Sequence, residues 1–404
     1  MYLSGRSTTP WIWGPAALIA VVAAACQSNG AAAPPPTTAG PRPTATSSTP
    51  SPVASCVDEV FDRLTPPQRV GQLFSLGLAG DRLGPAELQA IRSHHLGSVW
   101  FTETTTAGMG AIRAVATAVQ AEAVVAVTGG VGFYVAANQE GGEIQALGGA
   151  GFSTIPTAVM QGTFEPSTLK RDATAWGRQL SEAGVNLDFA PVMDVVPAGT
   201  DAQNQPIGAL HREFGHDPAT VASHGTAFIR GMSAAGIATT AKHFPGLGRV
   251  RGNTDNVAGV VDTVTTATDA SLGPFRSAVD SGVPFVMVAL ATYTRIDAGH
   301  LAVFSPTVMR LLRDEMGFDG VIVSDDLGAT RAVAGVPPAR RAIEFLAAGG
   351  DLIVSKTVGP AIAMADAVVA RASTDSTFGA RVDDAVRHVL AAKDASRLLP
   401  CSGG

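Results

Sequence analysis

Cysteine, charge and aromatic residues are all scarce in this chain, and each shortage excludes something. There are 3 cysteines in 404 residues, too few for a disulfide-dense scaffold or a zinc ribbon. Charged residues make up only 15% of the sequence, and Lys+Arg (28) is outnumbered by Asp+Glu (34). A net charge of -6 with no basic run is a poor match to the phosphate backbone of DNA or RNA. The body of the chain has no apolar run of membrane-spanning length free of Gly, Pro and charge. It has no His-Glu-x-x-His or other paired-histidine spacing, so no metal site is expected. What is abundant is apolar material: hydrophobic residues are 46% of the chain, enough for a large core.

The first 25 residues read as an address. Arg6 supplies a positive start, and an apolar stretch from Trp11 runs into small residues before Cys26. Ala23-Ala24-Ala25-Cys26 is similar to a bacterial lipoprotein signal, although Ala23 stands where a larger aliphatic residue is usual. That implies cleavage before Cys26, lipid attachment to it, and residence on the outer face of the cell membrane, with simple secretion as the alternative. Residues 26–55 follow, rich in Ala, Pro, Thr and Ser; a segment of that composition cannot bury enough apolar area to order itself and reads as a tether. Residues 56–404 are the expected folded domain. Cys56 and Cys401 bracket it, and in an oxidising compartment they are expected to pair.

Within that domain, short β-branched runs alternate with helical patterns. Candidate strands lie at 73–78, 98–101, 133–137, 185–189, 237–241, 284–290, 320–324 and 351–354, with a further apolar run at 123–127 that blurs the count. Helical spacing of Leu169, Ala173, Trp176, Leu180 and Ala183 marks 167–183. Asp217-Pro218 and Ser305-Pro306 are cap-then-proline signals that open two more helices. Eight strand–helix units point to an α/β fold, a single closed (β/α)8 barrel, and no Gly-x-Gly-x-x-Gly follows the first strands to suggest a dinucleotide fold. In such a barrel the chemistry sits at the carboxyl ends of the strands. Polar residues break in there repeatedly: Asn138-Gln139-Glu140, Asp194, Lys242-His243, Ser324-Asp325-Asp326, and Ser355-Lys356. Trp100 and Phe101 end the second strand, as barrel core or as a wall for a sugar ring.

Four stretches carry a family resemblance. They are Asn138-Gln139-Glu140-Gly141-Gly142, the run Asn186 to Val192, Lys242-His243-Phe244-Pro245-Gly246-Leu247-Gly248 with Asn253-Thr254-Asp255 after it, and the run Gly320 to Leu327. In this order they resemble glycoside hydrolase family 3, in particular its single-domain bacterial β-N-acetylhexosaminidases, from about Val57 to the C-terminus. The resemblance implies a (β/α)8 barrel, no cofactor, a carbohydrate substrate, and Asp325 as the nucleophile of a retaining mechanism. It also implies that Lys242, His243, Arg212 and the residue at 138 bind sugar hydroxyls. Terminal β-linked N-acetylglucosamine of cell-wall fragments is the implied substrate, and a monomer the expected state.

Departures from the family pattern matter as much. In the family the loop after Lys-His carries an Asp-x-His pair whose His is the acid/base; here those positions are Asn253 and Asp255. Asp255 is therefore a candidate acid/base and Asn253 a candidate orienter, against the alternative of a simple Asx turn. Asn138 replaces an Asp, and Ala146 stands where an Arg is expected. Three readings stay open on sequence: a retaining exo-glycosidase, a glycoside phosphorylase on the same scaffold, or a non-catalytic sugar- or muropeptide-binding lipoprotein. Asp326 reads as structural, orienting a neighbouring loop, and His94-His95 as a solvated helix end.

Overall fold

The computed structural model describes residues 55–401. The lipidation site Cys26 and the leader and tether up to residue 54 lie outside the described residues. Eight parallel strands form the centre: β1 (Phe74–Leu78), β2 (Ser98–Phe101), β3 (Tyr134–Ala137), β4 (Leu187–Asp188), β5 (Ala238–Phe244), β6 (Phe285–Val288), β7 (Val321–Ser324) and β8 (Ile353–Ser355). From β1 to β7 each strand pairs with the next in sequence, and β1 also pairs with β8. A parallel bridge between Val323 and Leu352 joins β7 to β8 and closes the ring. All eight expected strands are present. The ambiguous run at 123–127 is not a ninth; it enters the short helix Val125–Thr128.

The helices begin where the caps say they should. Asp217 accepts a hydrogen bond from the Thr220 backbone N–H (2.9 Å), with Pro218 opening the helix Pro218–Ala234. Ser305 does the same for Val308 at Pro306–Arg310. The helix Pro166–Glu182 buries Leu169, Ala173, Trp176 and Leu180, the stripe its spacing defines.

One end of the barrel is sealed by the last helix, Ser376–Ala395. Lys393 is fully buried there, and its ammonium donates to Gln72 Oε1 (2.7 Å) and to the carbonyls of Gly97 (2.7 Å) and Gly132 (2.9 Å). Gly97 and Gly132 directly precede or lead into β2 and β3, so this is the amino end of the strands. Burial without a counter-ion lowers the Lys393 pKa to about 7. Cys56 and Cys401 are bonded to each other, with Cα atoms 5.9 Å apart, and tie the first and last described segments together at that end. Three acceptors and a plug at the amino end leave the carboxyl end as the face on which loops gather.

Candidate active site

The strand ends deliver their polar residues to one pocket of about 410 Å³. Asn138, Arg212, Lys242, His243, Asn253, Asp255 and Asp325 all line it. Every pocket residue assigned from sequence to catalysis or sugar binding is thus brought together, from positions nearly 190 residues apart in the chain.

At the floor, β3 runs out into Glu140 and β5 into Lys242. Lys242 Nζ lies 2.6 Å from Glu140 Oε1 and donates to Asn138 Oδ1 at 2.7 Å. Arg212 meets the same carboxylate with two prongs, Nε to Oε2 (2.8 Å) and Nη2 to Oε1 (2.7 Å), and its third arm donates to the Pro206 carbonyl. Burial works against the Glu140 charge, but Arg212 and Lys242 together outweigh it and hold the carboxyl at about 2. Glu140 is the residue that sequence reading missed. It was visible inside a motif, but its two partners are 72 and 102 positions away, and no local pattern names them.

His243 is fixed from behind. Its Nδ1 is 2.8 Å from Asp194 Oδ2, while Asp194 Oδ1 accepts from the backbone N–H groups of His243 (3.1 Å) and Leu247 (2.8 Å). A buried carboxylate on Nδ1 assigns the proton there and turns Nε2 into the acceptor-capable edge. Below Lys242, Asp188 is fully buried; its Oδ1 accepts from the Gln139 N–H, and no donor reaches Oδ2. Burial is the main reason its pKa is pushed up to about 7.

Asp325 follows directly on β7, where the carboxyl end of a barrel strand opens into the pocket. Its Oδ1 accepts from the Asp326 N–H (2.8 Å). Asp326 itself is tied into the backbone, accepting from Gly328 (2.7 Å), Ala329 (3.0 Å) and Lys356 (2.7 Å), so it shapes the turn after β7.

The loop carrying Asn253 and Asp255 is docked onto that same turn. Arg331 N–H donates to the Asp255 carbonyl (3.2 Å) and Ala332 N–H to the Thr254 carbonyl (3.1 Å). Thr254 is buried beneath it. Asn253 Oδ1 accepts from the Asp255 backbone N–H (2.9 Å), an Asx turn. Asn253 therefore positions Asp255 through the main chain and makes no bond to its carboxyl group. Asp255 keeps an exposed edge, yet protein crowds its carboxyl. Burial first, then the negative charge of Asp325, raise its pKa, while Arg212 and His243 pull the other way.

Of the two aromatic candidates, Trp100 lines the pocket and Phe101 is core. Trp100 meets Phe189 edge to face at 6.2 Å, and no acceptor reaches its indole N–H. Ala146, at the position of an expected arginine, is buried and its N–H donates to the Asn138 carbonyl (2.9 Å); it does not line the pocket.

A parallel eight-stranded barrel with a pair of carboxylates, an amino–guanidino clamp and an aromatic wall at its carboxyl end has the form of a sugar-processing barrel. The chain belongs to glycosyl hydrolase family 3: the model of the family's N-terminal domain matches residues 67–392. The structure is similar to that of a β-N-acetylhexosaminidase from Beutenbergia cavernae, with a TM-score of 0.81 and 49% identity, over 82% of this chain and 98% of that one. A β-N-acetylglucosaminidase of a Paenibacillus species aligns with a TM-score of 0.74 and 28% identity, over 83% of this chain and 63% of that one. Among curated sequences, the β-hexosaminidase LpqI of Mycobacterium tuberculosis is 30% identical over 86% of this chain and 89% of its own length. A β-hexosaminidase of Vibrio cholerae is 35% identical, but the match spans only 64% of that relative.

Proposed function

We propose that this protein is a retaining exo-glycosidase that removes terminal β-linked N-acetylglucosamine from cell-wall fragments. The observation that carries this is the shared pocket of Asp325 and Asp255, two carboxyl groups whose charges act on each other. Asp325 is the nucleophile, forming a glycosyl ester as the leaving oxygen departs. Asp255, whose pKa is raised by crowding and by the Asp325 charge, donates the proton to that oxygen. Once Asp325 is esterified its charge is gone and the Asp255 pKa falls. Asp255 is then an aspartate able to take a proton from the incoming water, as the second step requires. Lys242, Arg212, Asn138 and His243 hold sugar hydroxyls, with Trp100 as the apolar wall. The similarity to β-N-acetylhexosaminidases supports the choice of sugar.

Export fits this substrate, since cell-wall fragments lie outside the cytoplasm. Lipid attachment at Cys26 anchors the enzyme, and Cys26→Ser is expected to move it from the membrane to the soluble fraction.

Hydrolysis of aryl β-glycosides tests the reading. The panel compares N-acetylglucosaminide, glucoside and xyloside, with and without phosphate, beside Asp325→Asn. N-acetylglucosaminide turnover by wild type alone, independent of phosphate, is expected. No turnover of any glycoside by folded protein would reject it, as would turnover that survives in the variant.

A further inference from the structure

Outside the pocket, one group of ligand-type side chains among the described residues is left over by the chemistry above. Asp201, Glu213 and His216 each offer a ligand atom, and these atoms all lie within 4.8 Å of one another. They belong to the loop between β4 and β5, the same loop that delivers Arg212 to Glu140. Asp201 starts a single helical turn, Asp201–Gln203, and Gly208 lets the returning chain pass close to it. A Cβ at 208 would sit 2.7 Å from the Asp201 Cα. His216 directly precedes the cap residue Asp217.

Glu213 makes this more than an acidic cluster. Its side chain is only 1% exposed, and no donor reaches Oε2. Asp201 Oδ1 is likewise without a hydrogen-bond partner; the nearest positive candidate, His216 Nδ1 at 3.5 Å, lies closer to the Val196 carbonyl (3.1 Å), a bond that a cation on Nδ1 would replace. A buried carboxylate facing a second carboxylate with no donor between them is costly. No lysine or arginine ion pair relieves either group among the described residues.

We propose that Asp201, Glu213 and His216 bind a zinc-type divalent cation, which braces the loop that presents Arg212 to the pocket. One imidazole and two carboxylates are a common ligand set for zinc, with a water free to take the fourth position. The two carboxylate charges match the charge of the ion. Arg212 is adjacent to Glu213 in sequence, so a cation there fixes the loop from the side opposite to the Arg212–Glu140 pair. The competing state is a proton in place of the metal: burial and the nearby Asp201 lift the Glu213 carboxyl to about 7. A carboxyl pair sharing that proton would satisfy the same atoms.

Calorimetric titration of the chelator-treated protein with zinc sulfate at neutral pH separates the two states. Asp325→Asn serves as background, so that zinc on the pocket carboxylates is not counted. One equivalent of zinc is expected to bind and to raise the melting temperature. His216→Asn and Glu213→Gln should each weaken binding by about tenfold or more, as loss of a ligand does. His216 is exposed, so its substitution spares the core and decides the matter if Glu213→Gln folds poorly. No heat of binding up to about 1 mM zinc, or equal binding by wild type and His216→Asn, would overturn the proposal in favour of the shared proton.

Discussion

Glu140 and Arg212 face each other across the pocket floor in a two-pronged ion pair, with Nε–Oε2 at 2.8 Å and Nη2–Oε1 at 2.7 Å. The third member, Lys242, touches the same carboxylate. One acid thus holds two cations whose remaining N–H donors are available to a sugar. Glu140→Ala would leave two cations side by side on a largely buried pocket floor. We expect it to destabilise the fold by about 3–5 kcal/mol in urea titrations, the usual result of removing one partner of a buried pair. Arg212→Ala should instead raise KM with a smaller loss of stability, because the Lys242–Glu140 pair survives.

The coupling of Asp255 to Asp325 makes a second prediction. In the proposed mechanism Asp255 must be protonated for the first chemical step, and its pKa is raised. Hydrolysis of a glycoside with a poor leaving group should therefore fall as pH rises through that pKa, at a point above the ordinary aspartate value of about 3.9. Asp255→Asn should cost roughly 10²–10⁴ in kcat for that substrate, and much less for a leaving group that needs no proton. Asp325→Asn should lower the Asp255 pKa, as read by carbon NMR of the carboxyl groups. An unchanged pKa would deny the coupling.

Sequence reading found the barrel because its signals are local. Eight β-branched runs, a proline after a cap residue and a helical stripe each declare themselves within a few residues. It found the strand-end residues because polar groups ending apolar strands are conspicuous. It could not see what those residues touch. Glu140 sits in a quoted motif, yet its role comes from cations brought in by two other segments. The choice between an orienter and an Asx turn at Asn253 turned on which atom of Asp255 is bonded, and only coordinates decide that. Asp194 was legible as a polar intrusion and Asp188 only as part of a quoted motif, neither of them as a support of His243 or Gln139. The trio of Asp201, Glu213 and His216 has no motif spacing at all.

Asp188 offers a test of burial through pH. Its pKa is pushed up to about 7, so the folded protein holds a proton that the unfolded chain releases near 4. Between those values the folded state binds more protons, and stability falls as pH rises; above about 7 the effect is complete. Asp188→Asn cannot titrate. Relative to that variant, wild type should lose about 2–3 kcal/mol between pH ~5 and ~8 in matched urea titrations. Glu140 runs the other way, since its depressed pKa gives stability that is lost only as pH falls below about 4 towards 2. The two effects occupy different pH windows and can be read separately.

The Cys56–Cys401 bond closes a loop of 345 residues, nearly the whole described chain. Cross-links over long loops remove the most freedom from the unfolded state, and loss of such a bond costs about 2–5 kcal/mol. The bond lies at the end where Leu398 accepts from the Gly132 N–H just before β3, far from the strand ends that form the pocket. Replacing both cysteines by serine should therefore lower the denaturation midpoint and leave kcat and KM unchanged at moderate temperature. Dithiothreitol should lower the wild-type midpoint to that of the variant and leave the variant as it was. A variant whose KM shifted as well would show that the closure at the amino end reaches the pocket, contrary to the rigid barrel between them.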